Sequence, residues 1–120
     1  MTEIQNTKVY NLEDRTLRFA KDTRIFVKRL VITIASMEDG KQLIRSSGSV
    51  GANYIEANEA LSKKDFIMRI MICRKEAKES EYWLNLLEID DANLEKEKMR
   101  LIQEATQFRK IFGAILEKSR

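Results

Sequence analysis

Beyond residue 10, apolar residues recur at intervals of three and four along nearly the whole chain, the period of amphipathic helices packed against one another. The first stretch predicts a helix from Asn11 to about Met37. Its core stripe is Leu12, Thr16, Phe19, Ala20, Thr23, Phe26, Val27, Leu30, Val31 and Ile34. Asn11 is placed to cap it, and Asp14 suits its positive end. Asp39-Gly40 reads as the turn that closes it. A second helix, Gln42 to Leu61, carries a seam of Leu43, Ser47, Val50, Tyr54, Ala57 and Leu61, widened by Ile44, Gly48, Gly51 and Ile55. Ser62 followed by Asp65 resembles a capping box and starts a third helix near Lys63. That helix has a heptad seam of Phe66, Ile70, Cys73, Ala77, Ser80, Leu84 and Leu87. Asp90, Asp91 and Asn93 form the next break, and any of them suits the cap of a last helix. Leu94, Leu101, Phe108 and Ile115, with Ile102, Ala105 and Phe112, give that helix its core face. Four helices with short connections predict an all-α, antiparallel up-down-up-down four-helix bundle over residues 11–120. Residues 1–10 lack periodicity and are expected to be a loose leader, with Ile4, Val9 and Tyr10 able to dock on a neighbour.

The second helix is the stretch around which the others are organised. Glycine weakens a helix by about 1 kcal/mol against alanine, so Gly48 and Gly51 within one helix predict a neighbour approaching closely. Arg45, Ser49, Ala52 and Glu56 return to one angle, with Asn53 beside them. This polar row admits a buried network that sets helix register, a subunit contact or a ligand site, and the first two readings are favoured. A buried charge needs a partner, and Glu79 on the third helix is the preferred one for Arg45.

Other apolar residues lie outside the seams. Leu17, Ile25 and Ile32 fall off the first stripe, and the first half of the third helix is apolar nearly all round, including Met68 and Ile72. With Trp83, these six residues form a candidate subunit interface, because a helix in a monomer needs only one apolar face. Arg18, Lys21 and Lys28 form a basic row nearby, read either as a solvated face or as a contact for nucleic acid.

Composition narrows the chemistry. The 120 residues include no proline and no histidine, 22 basic against 19 acidic residues, and a formal charge of +3. Without histidine, Ser-His-Asp and Cys-His catalysis and the Glu-x-x-His ligands of dimetal bundles are excluded. Glu56 with Glu59, and Glu76 with Glu79, have the spacing of exposed helical pairs rather than a specific metal signature. Cys73, the single cysteine, falls on a core position and is read as a small hydrophobe. It implies a reducing compartment, hence the cytoplasm. No segment approaches the ~18 consecutive apolar residues of a membrane span. The expectation is a protein without catalytic residues, metal or cofactor.

The strings RSSGSVGANYIEA and SKKDFIMRIMICRKEAKESEYWL resemble the 23S rRNA intervening-sequence protein family, also called four-helix bundle proteins. The positions that carry the resemblance are Arg45, Ser46, Asn53 and Glu56 on the second helix, then Ser62, Lys63, Lys64, Asp65, Phe66 and Glu79 on the third. Lys75-Glu76 departs from the small pair that many relatives have. The resemblance implies a left-handed bundle assembled as a ring-like homopentamer, encoded in some members within bacterial 23S rRNA genes, with no established enzymatic activity. The architecture is also similar to basic accessory proteins of diversity-generating retroelements. The functional expectation is therefore a homo-oligomer that binds RNA, DNA or a nucleic-acid-processing protein. The alternative is a protein-interaction scaffold that receives a partner helix in an apolar groove.

Overall fold

The computed structural model describes residues 11–120; the docking expected of Ile4, Val9 and Tyr10 lies outside them. Four helices follow in order: α1 Leu12–Lys28, α2 Ile34–Asn58, α3 Lys63–Leu86 and α4 Ala92–Ser119. Cross-helix contacts fix their directions. Glu13 meets Asn58 while Arg24 lies beside Gly48, so α1 and α2 are antiparallel. Arg45 with Glu79, and Asn53 with Arg69, give the same relation for α2 and α3. For α3 and α4 the contacts are Glu81 with Arg109 and Leu87 with Lys98. Arg15 with Glu104, and Asp22 with Arg100, run α1 against α4. The molecule is flattened, 44 × 33 × 19 Å.

Phe19, Phe26, Phe108 and Phe112 are fully enclosed with Leu43, Val50, Ile70, Leu84 and Leu101 in one continuous core. Phe19 and Phe108 meet edge to face at 5.4 Å, a favoured aromatic geometry. Most seam positions of α3 and α4 fall where their heptads place them, with Cys73, Ala77, Ser80 and Leu84 buried from one and Leu94, Leu101, Ala105 and Phe108 from the other. Phe66 and Ile115, however, are half-buried, and Leu116, not expected in the seam, is buried. Ser62 and Asp91 cap these two helices by accepting the Asp65 and Leu94 backbone N–H groups. Asn11 occupies the cap position of α1, but its side chain makes no capping bond.

The first connection is displaced from its sequence prediction. α1 ends at Lys28, not near Met37, and α2 begins at Ile34, not Gln42. Thr33 and Ser36 form a reciprocal capping box: the Thr33 hydroxyl accepts the Ser36 N–H at 3.0 Å and the Ser36 hydroxyl accepts the Thr33 N–H at 2.9 Å. Ser36 Oγ also donates to the Val31 carbonyl at 2.7 Å. These bonds, with β-branched Val31, Ile32 and Thr33 favouring extended backbone, outweigh continuation of the helix. Val31 and Ile34, expected in the core, are 81% and 87% exposed.

Asp39-Gly40 is consequently helical and not a turn. Gly40 is there for proximity, since a Cβ would lie 3.1 Å from Val27 Cγ1. At the other end α2 stops at Asn58, so Leu61 lies outside the seam and is fully exposed. Ile55, assigned to the widened apolar face, is 49% exposed.

Candidate functional site

Two polar surfaces contain the residues singled out by sequence. The first straddles the α2–α3 seam. Arg45 Nη2 donates to Glu79 Oε1 at 2.8 Å, and Nη1 donates to Glu76 Oε1 at 3.4 Å. Beneath them Ser46 and Ser80, both fully buried, share a hydrogen bond of 2.9 Å. Two turns further along α2, Asn53 Oδ1 accepts from Arg69 Nη1 at 3.0 Å, while its Nδ2 donates to the Ser49 carbonyl. Glu56 stands apart, exposed and without a hydrogen-bond or ion-pair partner among the described residues.

Glu76, Ser80 and Arg69 complete this network and were not singled out as its members. The i, i+3 pair of Glu76 and Glu79 was visible, but only the antiparallel register shows that both converge on one guanidinium. Glu76 is the buried member. Burial is the main cause raising its carboxyl pKa from 4.5; Glu79 pushes the same way, while Arg45 and Lys75 pull it back. With the folded-state pKa above the unfolded one, the stability Glu76 contributes is fully present below 4.5 and is lost as pH rises through the raised value. Glu76→Gln is expected to stabilise the protein at neutral pH and flatten that limb of the stability curve. Urea denaturation at pH 4.5 and 7 measures both effects; destabilisation at pH 7 that is absent at pH 4.5 would show that Arg45 needs the Glu76 charge.

The second surface is the outer face of α1. Arg18, Lys21 and Lys28 are all exposed, and among the described residues none lies within ion-pair distance of a carboxylate. Arg24, also exposed, falls between Lys21 and Lys28 at helical spacing and extends the row. Beyond its first turn α1 has one acid, Asp22, which is engaged by Arg100 at 2.9 Å. Leu17 and Ile25, 54% and 58% exposed, lie on the same face. The candidate basic row and part of the candidate interface are therefore one surface. The other interface candidates are elsewhere: Ile32 on the connection 29–33, exposed Met68 and half-buried Ile72 on α3, and Trp83 half-buried against the core.

The Cys73 thiol is enclosed, and burial pushes its pKa up to about 12, which keeps it protonated and unsuited to nucleophilic attack. Among the described residues no group of three or more His, Cys, Asp or Glu is placed to hold a metal ion. No helix among them is long and apolar enough to cross a membrane.

The fold is an all-α bundle of four helices that carries a polar α2–α3 seam and a row of exposed cations on α1. The chain belongs to the 23S rRNA-intervening sequence protein family, whose model matches residues 14–114. It is similar to a solved structure from Bacteroides thetaiotaomicron described as a protein with unknown function from the S23 ribosomal protein family. The two are 33% identical with a TM-score of 0.77, and the match covers 92% of this chain and 98% of that one. Comparison with curated proteins finds no match.

Proposed function

We propose that this protein is a non-enzymatic, homo-oligomeric bundle that contacts RNA or DNA through the outer face of α1. The observation that carries the proposal is the row of Arg18, Lys21 and Lys28, extended by Arg24, exposed on one helix face and in no ion pair among the described residues, with Asp14 and Asp22 the acids that border it. Phosphate contacts of this kind give affinity without base specificity. A subunit with a net charge of only +3 is a weak polyanion binder alone, but symmetry repeats the row and makes it multivalent. The pentamer implied by the family resemblance suits this arithmetic, and Cys73 suits the cytoplasm.

The test is fluorescence anisotropy with labelled structured RNA and duplex DNA at low and physiological salt. Wild-type protein should bind at low salt with a steep salt dependence. Arg18→Gln/Lys21→Gln/Lys28→Gln should weaken binding to all sequences alike and lower the salt slope by about 3 per subunit engaged. No binding at low salt overturns the proposal. Leu17 and Ile25 on the same face favour a second reading, a scaffold that binds a protein there; it gains if Leu17→Ser/Ile25→Ser releases a copurifying protein and leaves polyanion binding unchanged.

A further inference from the structure

Two surfaces outside the α1 face are left unpartnered, and they complement each other. The first is the outward side of α3. Lys64, Met68, Met71, Lys75, Lys78 and Tyr82 follow at alternating intervals of four and three, and all six are exposed. Met68, Met71 and Tyr82 expose 48%, 45% and 59% of their surface. None of the three lysines has an ion-pair partner among the described residues. The row is therefore an apolar stripe interleaved with three lysines that form no ion pair among the described residues, on the side of α3 opposite the buried Ile70, Cys73, Ala77 and Leu84.

The second surface is the end of the bundle where the connections 29–33 and 87–91 meet. Ending α1 at Lys28 leaves Val31, Ile32 and Ile34 at 81%, 80% and 87% exposure. Isolated exposed aliphatics are ordinary, but three within four residues form a patch. Beside them a cleft of about 500 Å³ runs between the two connections, floored by Leu30, Leu87, Ile89 and Leu94. Glu88, Asp90 and Asp91 line it against one cation, Arg29. This end is apolar with an acidic rim.

We infer that the acidic-apolar end of one copy docks on the lysine-methionine row of α3 in the next copy. The reading rests on the homo-oligomer proposed above and assigns its contact surfaces. Charge complementarity selects a second copy as the occupant: the carboxylates at the end face lysines that lack partners, and each surface offers aliphatic or thioether side chains to the other. The contact joins two different patches, so it is heterologous and propagates head to tail until a ring closes. It leaves the α1 face of every subunit free for polyanion.

Two variants test it, each at exposed positions and each checked for unchanged helicity by circular dichroism. Lys75→Glu/Lys78→Glu sets like charges against the acidic end, and association should weaken at least about tenfold. Ile32→Ser/Ile34→Ser removes the apolar part of the end, and the dissociation constant should rise about a hundredfold or more. By light scattering, each variant alone should run near the 14.1 kDa of one chain. Mixed, they retain one intact end and one intact α3 row between them, so they should form a pair and stop there. A monomeric wild type at tens of micromolar overturns the homo-oligomer reading and this contact with it. An oligomeric wild type whose mass neither variant changes overturns the contact alone. If Lys75→Glu/Lys78→Glu loses polyanion binding at unchanged mass, the α3 row is a phosphate contact and the assignment is wrong.

Discussion

Phe108→Ala is expected to lower stability by about 3–5 kcal/mol, the largest effect of any substitution considered for this chain. Phe108 is completely enclosed. Its ring meets Phe19 edge to face at 5.4 Å and Phe112 at 6.3 Å, and the Arg15 guanidinium stacks on it 5.1 Å from the centroid. Arg15 is held in place by Glu104 at 2.8 Å, so one truncation loses aromatic contacts from α1 and α4 and the platform of an interhelical ion pair. A domain of this size has about 5–15 kcal/mol in total, and thermal unfolding should shift down by on the order of 10–20 °C. A shift below about 3 °C would mean that the surrounding helices collapse into the space and that α1 is less tightly fixed than the structure shows.

The second large effect has the opposite steric cause. Gly51→Ala should destabilise the protein by about 1–3 kcal/mol through overpacking, even though alanine favours a helix by about 1 kcal/mol over glycine. A Cβ at position 51 would lie 2.7 Å from Thr16 Oγ1 and 3.1 Å from Thr16 Cβ. Thr16 cannot swing away cheaply, because it is buried and its hydroxyl donates to the Leu12 carbonyl at 2.7 Å. Removing the obstacle should reverse the sign. In the Thr16→Ala background, Gly51→Ala should be neutral or stabilising, and a double-mutant cycle by urea denaturation reads this as a coupling well beyond additivity. Additive effects would show that α1 and α2 separate slightly to admit the methyl. Gly48 provides the contrast: nothing stands closer than 3.8 Å to its added Cβ, so Gly48→Ala should gain helix propensity without a clash.

These two sites illustrate how unevenly the sequence exposes its physics. The heptads of α3 and α4 were legible because their seams are long, apolar and free of competing local bonds. The same rule failed between residues 28 and 42. There the apolar spacing continues through Val31 and Ile34, but the Thr33–Ser36 box and the β-branched run favour extended backbone, and side-chain hydrogen bonds override periodicity. A T-x-x-S spacing was available as a signal, weaker than the familiar Ser-x-x-Glu form. Asp39-Gly40 misled for a related reason. Glycine before a polar stretch reads as a turn, whereas Gly40 serves the approach of Val27.

The residues of the polar seam were also only partly readable. Arg45, Ser46, Asn53 and Glu79 stand out on their own helices, because small and polar side chains in an apolar helix need an explanation. That Glu76 and Glu79 share one guanidinium, that Ser46 pairs with Ser80, and that Glu56 stands outside the network depend on the relative register of α2 and α3. Pattern along one helix carries no information about which turn of a neighbour it faces.

By itself, the sequence determined the all-helical class, the four segments, most of the core and the cationic character of α1, since helix periodicity, burial of apolar side chains and charge are local or additive properties of the residues. Tertiary structure decided where the first connection falls and which carboxylates meet Arg45. It also exposed the apolar end at residues 31–34 opposite in character to the lysine row of α3. Each of these depends on distances between segments far apart in the chain, which are set only when the helices choose their register by packing.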